Sequence, residues 1–106
     1  MQVTGSGLTV PAAPSTLAAT RPSTSTRQIN LTWTDNSGNE SGFKIERATN
    51  STFTTNLVQV ATTAANVISY SNSGLAANTR YYYRVRATNA AGNSAYSNVV
   101  NALTGA

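Results

Sequence analysis

At 106 residues the chain is long enough to bury one modest core and too short to divide convincingly into two. Hydrophobic residues make up 40% and charged residues only 9%, and the net charge of +4 comes from seven Lys and Arg scattered from Arg21 to Arg86, not from the basic cluster that a nucleic-acid footprint requires. There is no Cys and no His, so disulfides, thiolate metal sites and imidazole acid–base chemistry are excluded, and no stretch reaches the ~20 apolar residues that span a bilayer.

Residues Met1 to Ala13 mix Gly, Ser and Pro without sustained alternation and read as a linker or leader, lacking the charged start and apolar centre of a signal peptide. Within it Leu8 and Val10 alternate, which leaves open a strand added to the sheet edge of another copy. The domain is expected over residues 14–104, with 105–106 as a tail.

From Pro14 onward, short runs of period-two alternation are separated by Gly, Asn and Ser clusters at the spacing of an all-β sandwich, and no window shows a helical period. Ser15 to Ala19 reads as an edge strand carrying Leu17, followed by a turn at Arg21, Pro22 and Ser23. In Gln28 to Thr34 the residues Ile29, Leu31 and Trp33 share one face, the inward one. After the polar loop Asp35 to Ser41, Gly42 to Ala48 turns Phe43 and Ile45 inward and Lys44 and Glu46 outward. Leu57 to Ala61 and Val67 to Asn72 are further strands, with Ile68 and Tyr70 the expected inward pair of the second. Thr79 to Thr88, the longest run, places Tyr81, Tyr83, Val85 and Ala87 on one face and Arg80, Tyr82, Arg84 and Arg86 on the other, as a central strand. A turn at Asn89 to Asn93 leads into a last strand from about Tyr96 to Leu103, with Val100 and Ala102 inward.

The spacing of Pro14, Leu17, Trp33, Leu75, Thr79, Tyr81, Val85, Ala87 and Gly92 resembles the fibronectin type III module, over about residues 12 to 104. Its most specific stretch is GLAANTRYYYRVRATNAAGNSAYS, Gly74 to Ser97, in which Leu75 and Tyr81 stand as in a tyrosine corner. The resemblance implies a seven-stranded immunoglobulin-like β-sandwich of two antiparallel sheets. It also implies that Trp33 fills the space between sheets, and that the strands bearing Lys44 and Glu46 and those bearing Tyr82, Arg84 and Arg86 lie side by side. The loop TDNSGNESGFKIER is more similar to modules of secreted bacterial polysaccharide-active and surface proteins than to those of animal matrix proteins. The turn before the last strand reads Asn89-Ala90-Ala91-Gly92-Asn93, without the Arg-Gly-Asp by which some animal members bind integrins.

Candidate sites are few. The acids are Asp35, Glu40 and Glu46; the first two share an exposed loop and read as caps of nearby amides, not as a catalytic carboxylate pair. Asp35, Ser37, Asn39 and Glu46 fit an EF-hand count, but Glu40 stands where the loop needs Gly and Glu46 falls on a strand, so no metal site is expected and no cofactor is implied. Three tripeptides beginning at Asn30, Asn39 and Asn50 match the glycosylation pattern and are expected by chance in so Asn-, Ser- and Thr-rich a chain.

The one candidate binding face is the outward set Lys44, Tyr82, Arg84 and Arg86 with Tyr96, which suits an acidic partner or a sugar; the bland reading pairs Glu46 with Arg84 or Arg86 on a solvated face. The expected function is therefore a non-catalytic spacer or accessory module beside neighbouring domains of an extracellular or cell-surface protein, monomeric, without nucleic-acid or membrane partners. The alternatives are an adhesion module for polysaccharide or a cell-surface protein, and a subunit that assembles by donating its N-terminal segment.

Overall fold

The computed structural model describes residues 9–22 and 27–105. Among them run eight strands and no helix: β1 (Ser15–Thr20), β2 (Ile29–Thr34), β3 (Gly42–Ala48), β4 (Val58–Thr62), β5 (Ser69–Asn72), β6 (Arg80–Asn89), β7 (Gly92–Asn93) and β8 (Val100–Leu103). They form two antiparallel sheets, one ordered β1-β2-β5 and the other β4-β3-β6, with β7 and β8 each pairing onto β6. This is the expected all-β sandwich, with the last expected strand shortened to Val100–Leu103 and an added two-residue strand, β7, within the expected turn Asn89 to Asn93. Ser23 of the expected first turn and Leu8 of the leader lie outside the described residues.

Period-two alternation becomes burial on one side of each ladder. Leu17, Ile29, Leu31, Trp33, Phe43, Ile45, Leu75, Tyr81, Tyr83, Val85 and Ala87 form one buried cluster between the sheets, with Tyr70, Val100 and Ala102 packed against it. Trp33 meets Phe43 edge to face, ring centroids 5.6 Å apart, a geometry that sets positive ring edge against negative ring face. Each fully buried side chain of this size contributes about 1.5–3 kcal/mol by leaving water.

One expected core residue is corrected. Ile68 is 50% exposed, because β5 begins only at Ser69 and its register sets Tyr70 against Leu31 and Asn72 against Ile29. Ile68 lies beyond the ladder and gives the sheet only its carbonyl, which accepts from the Trp33 amide at 3.0 Å. The inward place at the other end of β5 goes to Asn72, 7% exposed, whose Oδ1 accepts from the Tyr83 hydroxyl at 2.7 Å and from the Arg47 guanidinium at 3.2 Å. Arg47 also lies over the Tyr81 ring at 5.0 Å, so a polar cluster bridges the two sheets here. Burial pushes the Tyr83 phenol well above its ordinary value and keeps it a neutral donor.

The tyrosine corner is present: the Tyr81 hydroxyl accepts from the Ala76 amide at 3.1 Å. Beside it Thr104, 1% exposed, accepts the Thr79 amide at 2.9 Å and donates to the Ala76 carbonyl at 2.6 Å, so it fastens the end of the chain to the same corner. At the edge strand β1 the Asn98 side chain pairs with the backbone, accepting from the Leu17 amide at 2.8 Å and donating to its carbonyl at 3.0 Å. An open strand edge is thereby satisfied from within.

The β2–β3 loop is held by its acids. Asp35 accepts the Ser37 amide at 2.9 Å, and Glu40 accepts the Ser37 hydroxyl at 2.5 Å and the Asn66 amide at 3.0 Å, joining this loop to the β4–β5 turn. Glu40 is only 8% exposed, against the expectation of an exposed loop acid, because that second loop closes over it. The bond from Ser37 is the main cause holding the Glu40 carboxyl below its ordinary 4.5, with the Asn66 amide adding to it against the cost of burial. A folded-state value below the unfolded one means that the contribution to stability is present above the ordinary carboxylate value and is lost as pH falls through the folded one. Glu40→Gln is expected to lower stability at neutral pH by about 1 kcal/mol and to differ progressively less from the parent below about pH 4. Thermal melts of both proteins from pH 7 to pH 3 check this, and a difference that stays constant across that range would refute it.

Candidate functional site

The β3–β6 register places the candidate residues. Lys44 stands opposite Arg86, Glu46 opposite Arg84, and Ala48 opposite Tyr82, so Lys44, Tyr82, Arg84 and Arg86 all point away from the core on one sheet face. Each is half-buried, not freely exposed. The cover comes from two irregular segments, neither of which carries alternation.

The first lies between β7 and β8. Ser94 and Ser97 keep it on β6 through backbone bonds to the Ala87 and Val85 carbonyls at 2.8 and 2.7 Å. Their hydroxyls accept the amides of Ala87 at 2.9 Å and Val85 at 3.0 Å. Side-chain oxygens thus replace the carbonyls of a regular strand partner, and the expected strand start at Tyr96 gives way to a bulged run that begins regular pairing only at Val100. Tyr96, freed from the ladder, lies back across the sheet.

The second is the β3–β4 loop, wound around Asn50. The Asn50 side chain accepts the Thr54 and Thr55 amides at 3.0 and 3.1 Å and donates to the Thr52 and Thr54 hydroxyls at 3.0 and 2.7 Å. This turn holds Phe53 at φ 56, a left-handed conformation that costs a bulky residue energy. In return Phe53 is driven onto the outside of the sheet, where it is 4% exposed.

The result is a stacked column: Phe53, Arg84, Tyr96, Arg86. The Arg84 guanidinium lies 4.2 Å from the Phe53 ring centre and 3.8 Å from that of Tyr96, and Arg86 covers Tyr96 at 4.7 Å. Glu46 sits beside the column. One of its oxygens is 2.8 Å from both Nε and Nη2 of Arg84, and the other accepts the Tyr96 hydroxyl at 3.0 Å and lies 3.6 Å from Arg86. Burial, followed by the neighbouring Glu46 carboxylate, pushes the Tyr96 phenol up. The expected pairing of Glu46 with Arg84 or Arg86 is thus found with both, but on a covered face and not a solvated one: Glu46 is 8% exposed, since the Tyr96 and Phe53 segments fold over it.

Chemically, this arrangement has spent most of what a binding platform needs. Both guanidiniums are stacked on Tyr96 and paired to one carboxylate, and the Tyr96 hydroxyl is engaged by Glu46. Lys44 and Tyr82 are the members of the set without such a partner among the described residues. Asp35 and Glu40 are engaged in loop bonds, and among the described residues no three His, Cys, Asp or Glu side chains gather where an ion could be held. No helix among them is long and apolar enough to cross a membrane.

Comparison with known proteins follows the fold. The chain is similar in structure to an Fn3-like protein from Clostridium thermocellum, with 27% identity and a TM-score of 0.72 over 88% of this chain and 92% of that one. A multidomain titin fragment matches at 24% identity and a TM-score of 0.73, and the FN1–FN3 domains of chicken CNTN1 at 19% and 0.73. Each of these two alignments covers 92% of this chain but 33% of the other, so the likeness there is of fold and of one unit among several. No curated protein sequence is significantly similar. The family profile of the fibronectin type III domain matches residues 12–102, nearly the whole chain, and the chain belongs to the fibronectin type III family.

Proposed function

We propose that this fibronectin type III domain is a non-catalytic spacer that sets distance and orientation between neighbouring domains of an extracellular protein. The observation that carries the reading is the covered column on the outer face of β3 and β6: where cations and aromatic rings converge on that face, Arg84 and Arg86 are engaged by the module's own Phe53, Tyr96 and Glu46. Function on a common fold resides in sites added to it, and here the best candidate for such a site is used to hold the module together. The family's occurrence as one unit of longer chains supports the spacer role. The extracellular setting rests on the resemblance of the β2–β3 loop to secreted bacterial modules.

The competing adhesion reading would have to rest on Lys44 and Tyr82. Pull-down on insoluble polysaccharides and on whole cells separates the two. The spacer reading expects the protein in the unbound fraction, unchanged by a Lys44→Ala, Tyr82→Ala double substitution. Retention of the parent that this double variant abolishes would replace spacer by binder.

A further inference from the structure

The sequence VPAAP carries two prolines three residues apart. An extended chain with three residues per turn puts positions i and i+3 on the same face, and the residues before each proline, Val10 and Ala13, are biased toward that conformation. Pro11 and Pro14 are both buried, while Ala12 between them is exposed. The segment therefore lies against the module through its proline face, ahead of β1 and partly ahead of the residues that the family profile matches, which start at residue 12.

Proline has no N–H, so a segment of this kind offers its neighbours chiefly carbonyls. The module meets those carbonyls with amide donors. Asn39 and Asn89 both donate to the Thr9 carbonyl, at 3.0 and 2.8 Å, and Asn36 donates to the Ala13 carbonyl at 3.0 Å. Asn89 is itself oriented: its Oδ1 accepts the Ala91 amide at 2.8 Å, and its Nδ2 also reaches the Asn39 carbonyl at 3.1 Å. Val10 completes the contact, its Cγ2 lying 3.5 Å from where a side chain at Gly92 would begin. The donors come from the β2–β3 loop and from the end of β6, two parts of the chain that meet only in the fold.

We propose that Asn36, Asn39 and Asn89 form a docking site for an extended, proline-anchored backbone, filled in cis by Thr9–Pro14, so that the backbone is held in one fixed direction as far as Thr9. Segment 9–14 is then part of the folded unit and not of a free linker. It is not available for donation to another copy, and a second peptide reaches this pole of the sandwich only by displacing it. The docking stands on its own contacts; its use in orienting a neighbouring domain rests on the spacer reading above.

The chain has no cysteine, so an Ala12→Cys substitution accepts a single nitroxide at the exposed position between the two buried prolines. The spin label is expected to show restricted motion in the otherwise unaltered protein. Asn39→Ala with Asn89→Ala is expected to raise the undocked fraction roughly tenfold, as loss of two net hydrogen bonds implies. If that double variant folds poorly, Pro11→Ser, which alters only the strap, gives the same readout. A label as mobile in the parent as in the variants would overturn the proposal, and so would one that stays restricted in all of them. Retention on polysaccharide through Lys44 and Tyr82 would overturn the spacer reading while leaving the label's motion unchanged, so the two failures are distinguishable.

Discussion

Gly42→Ala is expected to cost about 3 kcal/mol, the upper range for forcing extra volume into a packed site. A Cβ at Gly42 would sit well inside contact distance of the Thr63 carbonyl oxygen, which is backbone and has little freedom to move away. The Thr63 amide donates to the Phe43 carbonyl at 2.8 Å, and on the other side of the strand the Ser41 amide donates to the Thr88 carbonyl at 2.8 Å. Gly42 is therefore clamped between β4 and β6, and relief means breaking one of the two bonds. The requirement here is for space and not for an unusual dihedral angle. Gly38, in the exposed β2–β3 loop with open space around its would-be Cβ, is the control, and Gly38→Ala is expected to stay within about 0.5 kcal/mol of the parent. Urea denaturation midpoints of the two variants decide the matter. Equal midpoints would mean that the β3–β4 junction is softer than its bonding implies.

What could be read from the sequence follows from where periodicity exists. Ile29, Leu31, Trp33, Phe43, Ile45, Tyr83 and Val85 lie on long regular ladders, where a period of two determines the face, and all are buried. At Ile68 alternation continues in sequence past the point where the ladder stops, so the period no longer determines the face. Phe53, Ser94, Ser97 and Thr104 gave no periodic signal at all. Their positions depend on a turn wound around one asparagine, on hydroxyls that stand in for strand carbonyls, and on a corner assembled from residues 28 apart. The same division runs through the candidate face. Its strand members, Lys44, Tyr82, Arg84 and Arg86, could be grouped from the sandwich that the family resemblance implied, whereas its cover could not, because Phe53 and Tyr96 reach it from irregular segments. A basic and aromatic face on paper thus became a closed column in the fold.

Closure of that column makes Glu46 its most sensitive member. Removing one partner of a buried ion pair leaves the other charged and poorly solvated, at a cost of about 3–5 kcal/mol when burial is complete. The Arg84 and Arg86 side chains keep 22% and 25% of their exposure, so water recovers part of that and the expected loss for Glu46→Ala is about 2–3 kcal/mol. For a domain of this size that is a fall in melting temperature on the order of 10 °C or more. Tyr96→Phe removes only the bond to the second carboxylate oxygen and keeps the ring against the guanidiniums, so about 1 kcal/mol is expected. The functional consequence points the other way from the structural one. Without Glu46 two stacked guanidiniums lose their only acidic partner among the described residues, and the pair's net charge rises from +1 to +2 on a face that already carries Lys44. On a column bearing a sulfated polysaccharide, Glu46→Ala is expected to elute at higher salt than the parent, whereas Glu40→Ala, an equal change of net charge in the β2–β3 loop, is expected to shift much less. Equal shifts for the two would mean that net charge alone governs retention and that the column was never a masked cationic site. A larger shift for Glu46→Ala would show that this carboxylate screens the paired guanidiniums from a polyanion.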